Sequence, residues 1–267
     1  MARRAEPHEP HRLVAFRRPF PRWAAEERRR VVRELRARAD AQGSEALRAY
    51  LGSPVAVLGV RVPDLRSVVK ETARRLRALP PAAARALVEA LWEGTWFEER
   101  LAAIELLSLS PLLDDTGSWE LGTAWVDAAT GWALSDSLAS GPIATWAARR
   151  PDRFSELLAW TESPNLWRRR ASAYALRAWV RSGELDRPFE LLERLAEDPE
   201  RWVQRAVGTW LRECWKKDRK RTERFLRREV GRLAPVTITV ATERAPRSLR
   251  EELRRASGRR GLIRRAY

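Results

Sequence analysis

The chain of 267 residues holds one cysteine, two histidines, one methionine and four lysines. A single cysteine, Cys214, excludes an internal disulfide and points to a reducing compartment. The histidines, His8 and His11, stand three apart near the amino terminus without cysteine or carboxylate partners at ligand spacing, so no metal is expected. No apolar run approaches the roughly 20 residues needed to span a bilayer. The first residues, MARRAEPHEPHRLVAFRRPFPRW, carry charge but no apolar signal core, which argues against secretion. A phosphate-binding loop, a dinucleotide glycine fingerprint and a Ser–His–Asp set are all missing. The expectation is therefore a cytoplasmic protein without cofactor or metal and with no membrane partner.

What is present is arginine and tryptophan. The net charge is +16, and its placement is uneven. Residues 1–164 carry 24 basic and 22 acidic side chains, whereas residues 165–267 carry 28 and 14. A basic surface gathered at one end is the electrostatic footprint of a polyanion. Nucleic acid fits this better than an anionic membrane, because no basic stretch carries the bulky apolar face that membrane binding needs. An acidic protein partner is the third reading. The 13 tryptophans have to be core or contact surface.

Apolar residues recur at helical spacing almost throughout, as in segment 23–40, where Val31, Val32, Leu35 and Ala39 share a face. Segments 82–93, 97–109, 142–150, 153–160, 166–181, 187–196 and 201–215 read the same way. Proline and glycine punctuate between them, for example at Pro80-Pro81, Gly117 and Gly141-Pro142. VTITVAT at 236–242 alternates like a strand, but a lone strand in a helical stack is not expected, and a loop or short helix is. A period supports a repeat: Phe97, Trp132, Trp167 and Trp202 are spaced by 35 residues, and Arg100, Arg170 and Arg205 keep the register three residues later. Units of this length cannot bury their own apolar faces and stack into a solenoid. The expected fold is all-α, with antiparallel helix pairs and a concave groove suited to a rod-like ligand. A basic disordered tail is expected over 1–22, one repeat domain over 23–246 and a basic carboxy-terminal helix and tail over 247–267. The second unit departs from the pattern, with Ser135 in place of arginine, followed by Asp136.

Five stretches in order resemble the AlkD family of alkylpurine DNA glycosylases, which have HEAT-like repeats. They are VLGVRVPDLRSVVKE (57–71), LVEALWEGTWFEERLAAIELL (87–107), GWALSDSLA (131–139), NLWRRRASAYAL (165–176) and WVQRAVGTWLRE (202–213). The third matches the family's Trp-x-x-x-Asp active-site motif, which places Trp132 and Asp136 at the catalytic centre. The resemblance implies a monofunctional, monomeric enzyme that excises N3- or N7-alkylated purines from duplex DNA. It also assigns Arg170 to the DNA backbone beside the lesion.

The residues are consistent with that chemistry. Trp132 and Asp136 are four apart and share a helix face. A cationic alkylpurine is a good leaving group, and breaking its glycosidic bond builds positive charge on the sugar. A fixed carboxylate stabilises such charge, and an indole face adds a cation–π contact of roughly 0.5–2 kcal/mol. Other readings stay open at this point. Trp132 occupies the repeat's structural aromatic position. Asp136 can be a solvated helix residue or a cap near Gly141-Pro142. Arg170 can be a salt-bridged repeat arginine like Arg100 and Arg205. Arg168 and Arg169 are expected to be exposed beside Arg170, and Arg205, Arg212, Lys216, Lys217, Arg219 and Lys220 are further candidate phosphate contacts. One departure stands out. The family's second active-site tryptophan follows a glycine, where this chain has Thr209 after Gly208, and Trp210 comes one residue later. A shift of one residue turns a helical side chain by about 100°, which would direct Trp210 into the core and leave the aromatic cradle incomplete.

Overall fold

Helical apolar spacing, interrupted by proline and relieved by small residues at the crossings, yields a stack of helices. The structure, a computed structural model, describes residues 20–51, 55–109, 115–129 and 131–263. Most of the expected amino-terminal tail, and the last residues of the carboxy-terminal one, lie outside them. It is all-α: among the described residues, extended pairing is confined to one isolated bridge between Ala56 and Trp96. No helix among them is long and apolar enough to cross a membrane.

Three helices open the stack: α1 (Arg22–Arg36), α2 (Ala41–Leu51) and α3 (Val62–Leu76). The repeat then runs as pairs: α4 (Pro81–Trp92) with α5 (Phe97–Leu109), and α6 (Asp115–Ala128) with α7 (Trp132–Leu138). Helix α7 continues through a π turn (Ala139–Ile143) into α8 (Ala144–Arg149). Next come α9 (Asp152–Trp160) with α10 (Leu166–Tyr174), followed by the short α11 (Arg177–Ser182). The last pairs are α12 (Asp186–Arg194) with α13 (Arg201–Lys217), and α14 (Arg219–Glu229) with α15 (Pro235–Ala241), before the terminal α16 (Arg247–Ile263). The second helices of these pairs start 34–35 residues apart and form a row in which α5 packs on α7, α7 on α10, α10 on α13 and α13 on α15.

One apolar core runs from Val31 to Leu253. Tryptophans stack within it, Trp92 on Trp125 at 4.5 Å and Trp119 on Trp160 at 6.0 Å between ring centres. Polar side chains stitch each unit to the next in register. The Ser135 hydroxyl donates to the carbonyl of Trp167 (3.1 Å), Arg170 Nη1 to that of Trp202, and the Thr237 hydroxyl to that of Gln204 (3.0 Å). On the other row, ion pairs recur 35 residues apart: Arg221 with Asp186, Arg228 with Glu193, and Arg232 with Glu197. Exposed pairs of this kind contribute little stability singly, but they occupy cations that the sequence alone leaves free.

Three expectations change in detail. Segment 166–181 is two helices, parted at Ala175-Leu176. Gly141-Pro142 does not end a helix, because the widened π turn accommodates a proline ring that has no amide hydrogen to donate. Gly117 falls inside α6 instead of between helices. The alternating VTITVAT stretch does form a short helix, α15. Its β-branched side chains give way to packing, since Gly208 lets α13 and α15 close up: a Cβ there would stand 2.8 Å from Val240 Cβ and 2.9 Å from the Thr237 carbonyl.

Candidate active site

The site forms where the row of second helices passes from α7 to α10 and α13. Helix α7 begins at Trp132, directly after Gly131, so Asp136 lies one turn further along the same face. Helix α10 is capped by Asn165, whose side chain accepts from the Trp167 amide at 2.9 Å. That cap sets the register of the turn carrying Arg168, Arg169 and Arg170, and Tyr174 follows Arg170 by one turn.

Asp136 and Arg170 form a two-point ion pair. Arg170 Nε donates to Oδ1 at 2.7 Å and Nη2 donates to Oδ2 at 2.8 Å. Both carboxylate oxygens accept, which is the ionised form of the acid. The side chains are 6% and 13% exposed, so the arginine is sealed and the acid keeps a narrow opening. Arg170 also donates to the Trp202 carbonyl and, at 3.1 Å, to the Tyr174 hydroxyl. Its guanidinium carbon lies 4.9 Å from the Tyr174 ring centre and 5.8 Å from that of Trp202. Burial pushes the Asp136 carboxyl above its ordinary value, while Arg170 and Tyr174 pull it back. Burial also works against the charge on Arg170, but Asp136 outweighs it and holds the guanidinium above its ordinary value. A buried pair of this kind adds little net stability over apolar packing, yet loss of one partner costs about 3–5 kcal/mol. Stability alone is therefore a weak reason for its presence.

Aromatic side chains border the pair. Trp132 is half-buried and meets Tyr50 of α2 edge-on at 5.3 Å. Tyr50 is 71% exposed and Trp202 is 43% exposed, unusual for rings of this size. Trp202 leans on Trp167 at 6.1 Å. Trp210 points into the core, as the one-residue shift implies: it is 6% exposed and meets Tyr174 edge-on at 5.7 Å. Thr209 faces outward in part and donates its hydroxyl to the Arg205 carbonyl at 2.9 Å. The second aromatic that the family resemblance calls for is thus supplied by neither residue.

The expected phosphate contacts divide. The Arg170 guanidinium is buried and paired with Asp136 through both carboxylate oxygens. Arg169 is also drawn inward, pairing with Asp198 at 2.6 Å and with the carbonyls of Ser163 and Pro164. Arg168 is only partly exposed, lies over the Trp160 ring at 4.9 Å and binds Asp127 at 3.0 Å. Arg212 and Lys216 pair with Glu243 and Glu213, and Lys217 donates to the Arg181 carbonyl at 2.9 Å. Arg219 is exposed beside Trp215. Arg205 and Lys220 are exposed with no carboxylate in pairing distance among the described residues. Tyr174, Trp202 and Tyr50 escape the sequence reading. Trp202 carries a signal, as one of the aromatics spaced by 35 residues, and Tyr174 stands one turn after Arg170. Tyr50 has none, because α2 is distant in sequence.

No group of three or more His, Cys, Asp or Glu side chains suited to a metal occurs among the described residues, and His8 and His11 lie outside them. Comparison with known proteins bears on this geometry. A family model described as DNA alkylation repair enzyme matches residues 31–245. No curated protein matches the sequence. The fold is similar to a predicted DNA alkylation repair enzyme from Enterococcus faecalis, with TM-score 0.65 and 18% identity over 79% of this chain and 98% of that one. It is also similar to AlkD2 from Streptococcus mutans, with TM-score 0.59 and 15% identity over 82% and 98% of the respective chains. At these identities the likeness is one of fold.

Proposed function

The chain belongs to the DNA alkylation repair enzyme family, and we propose that it is a DNA glycosylase that hydrolyses the N-glycosidic bond of N3- or N7-alkylated purines in duplex DNA. The observation that carries this reading is the Asp136 carboxylate, held ionised by Arg170 at the edge of the core beside Trp132 and the exposed ring of Trp202. An alkylated purine already bears a positive charge. When its bond to the sugar breaks, the electron pair moves to the base, which leaves neutral, and the positive charge moves to the deoxyribose. A carboxylate fixed beside that sugar stabilises the developing charge without having to reorganise. It also orients the water that adds to the sugar carbon and accepts the proton that this water releases. The leaving base needs no acid. Trp132 packs against the sugar or the cationic base, and Arg170 holds the carboxylate in place. Arg205 and Lys220, together with neighbours able to exchange weak surface pairs for phosphate, fix the duplex without reading its sequence.

A second reading, a repeat protein that binds duplex or branched DNA without excising a base, draws support from the inward turn of Trp210 and the small side chain at Thr209. One assay separates the two. Methylated duplex DNA incubated with the wild-type chain should release 7-methylguanine or 3-methyladenine, and Asp136→Asn should slow release by about 10²–10³-fold with DNA affinity almost unchanged. Salt-sensitive binding without any base release would favour the second reading.

A further inference from the structure

Trp202 is the one tryptophan that the fold leaves uncovered. Of the 13 in the chain, eight are buried and four are half-buried, whereas Trp202 keeps 43% of its surface open. The period gives the reason. Each earlier aromatic at the 35-residue spacing is followed by another in the next unit, and Trp202 itself leans on Trp167 at 6.1 Å. One period beyond Trp202 stands Thr237, fully buried and bonded to Gln204, so no further ring of the series closes over the indole. Its place is nevertheless fixed. The Trp202 carbonyl accepts from Arg170 Nη1, and the same guanidinium lies 5.8 Å from the indole centre while it grips both oxygens of Asp136. The open ring therefore stands one guanidinium away from the acid.

The side of α13 that carries the ring suits a polyanion. Trp202, Arg205, Thr209 and Arg212 follow one another at three and four residues, so they share that side. Thr209 lies two turns from Trp202, about 10 Å along the helix axis, and its hydroxyl turns back onto the Arg205 carbonyl. A short side chain there leaves the indole unobstructed. We propose that Trp202 stacks on the alkylated base and selects it by charge. The proposal rests on the reading of this site as one that takes alkylated duplex DNA. Every base offers a flat face to an aromatic ring, so stacking alone gives affinity without selection. An indole face is also electron-rich and attracts a cation. An alkylated purine brings that charge, and an unmodified purine of nearly the same area does not.

The experiment compares the affinities of the full chain for two duplexes whose glycosidic bond resists cleavage. One carries 7-methylguanine on a 2′-fluoroarabino sugar and is cationic at the base. The other carries 7-methyl-7-deazaguanine, which has the same shape and no charge. The wild type should prefer the cationic duplex. In Trp202→Leu the ratio of the two affinities should drop by about 2–30-fold, the range of one cation–π contact. In Trp202→Phe it should drop by less, because a smaller ring keeps part of the attraction. Asp136 also favours the cation, so the quantity read is the drop and not the ratio that remains. An unmoved ratio overturns the proposal, even if both affinities fall together, and so does a wild type that binds the two duplexes equally. If W202L fails to fold, fluorinated tryptophan placed at position 202 keeps the ring and withdraws charge from its face, and the ratio must then fall with each added fluorine. If the wild type releases no base from methylated DNA while the ratio still drops in W202L, the glycosylase reading fails and the role of Trp202 stands.

Discussion

Two acids on neighbouring helices of the same row are withdrawn from water in different ways. Glu98, on α5, is 1% exposed and accepts from three consecutive backbone amides, those of Leu58, Gly59 and Val60, at 2.8–3.2 Å. Asp136, on α7, keeps 13% of its side chain open and rests on a side chain, the Arg170 guanidinium. Backbone donors fixed in a loop anchor that loop. The chain folds around Glu98, and Gly59 takes φ +82° there, with the Asp40 carbonyl 2.3 Å from where a Cβ would sit. Side-chain donors at an open edge instead leave part of the carboxylate accessible, as the proposed reaction requires. The comparison teaches that two acids withdrawn from water differ in the kind of partner that holds them and in the opening that remains.

The comparison can be broken by mutation. The largest effect on stability is expected from Arg170→Ala, which strands Asp136 without its counter-charge and should cost about 3–5 kcal/mol in urea unfolding. A cost near zero would show that Asp136 does not depend on the pair. Glu98→Gln should cost about 1–3 kcal/mol, because the amide keeps one accepting oxygen but turns an NH₂ group toward backbone donors. Trp202→Ala removes a ring beside the Arg170 guanidinium and should cost roughly 0.5–2 kcal/mol, measured the same way.

The pH dependence sharpens the contrast further. Asp136 titrates above the ordinary carboxylate value of 3.8 when folded. Between 3.8 and that raised value the native state holds a proton that the unfolded chain has already lost, so this group lowers stability as pH rises through the window. Asp136→Asn should flatten that slope, and excision by the wild type should fall as pH drops through the same raised value. The smallest effect belongs to the surface. Arg205→Ala should leave stability within about 0.5 kcal/mol and reduce the slope of log affinity against log salt by roughly 1.

Much of the fold is legible because stacking imposes a period. Phe97, Trp132, Trp167 and Trp202 lie at or next to the starts of α5, α7, α10 and α13, because stacked units repeat the same helix start in register. The departure at Ser135-Asp136 is legible for the same reason, and so is the inward turn of Trp210, which follows from helical geometry. The role of Arg170 is not. Arg100, Arg170 and Arg205 occupy equivalent positions, and only the carboxylate 34 residues away distinguishes one of them. Arg100 instead reaches the Gly94 carbonyl, and Arg205 stays in solvent. The loss of Arg168 and Arg169 to Asp127 and Asp198 is hidden likewise, because those acids come from other helix junctions. Pro142 misleads for a different reason: a π turn tolerates it where an α turn would not.

The most direct measurement is single-turnover excision of 7-methylguanine from duplex DNA by D136N and E98Q, each rate expressed per folded molecule. Per folded molecule, D136N should lose about two to three orders of magnitude in rate, and E98Q should unfold earlier than wild type yet keep its rate. A D136N rate equal to wild type, or an E98Q rate that falls as far as that of D136N, would contradict the distinction between the two acids.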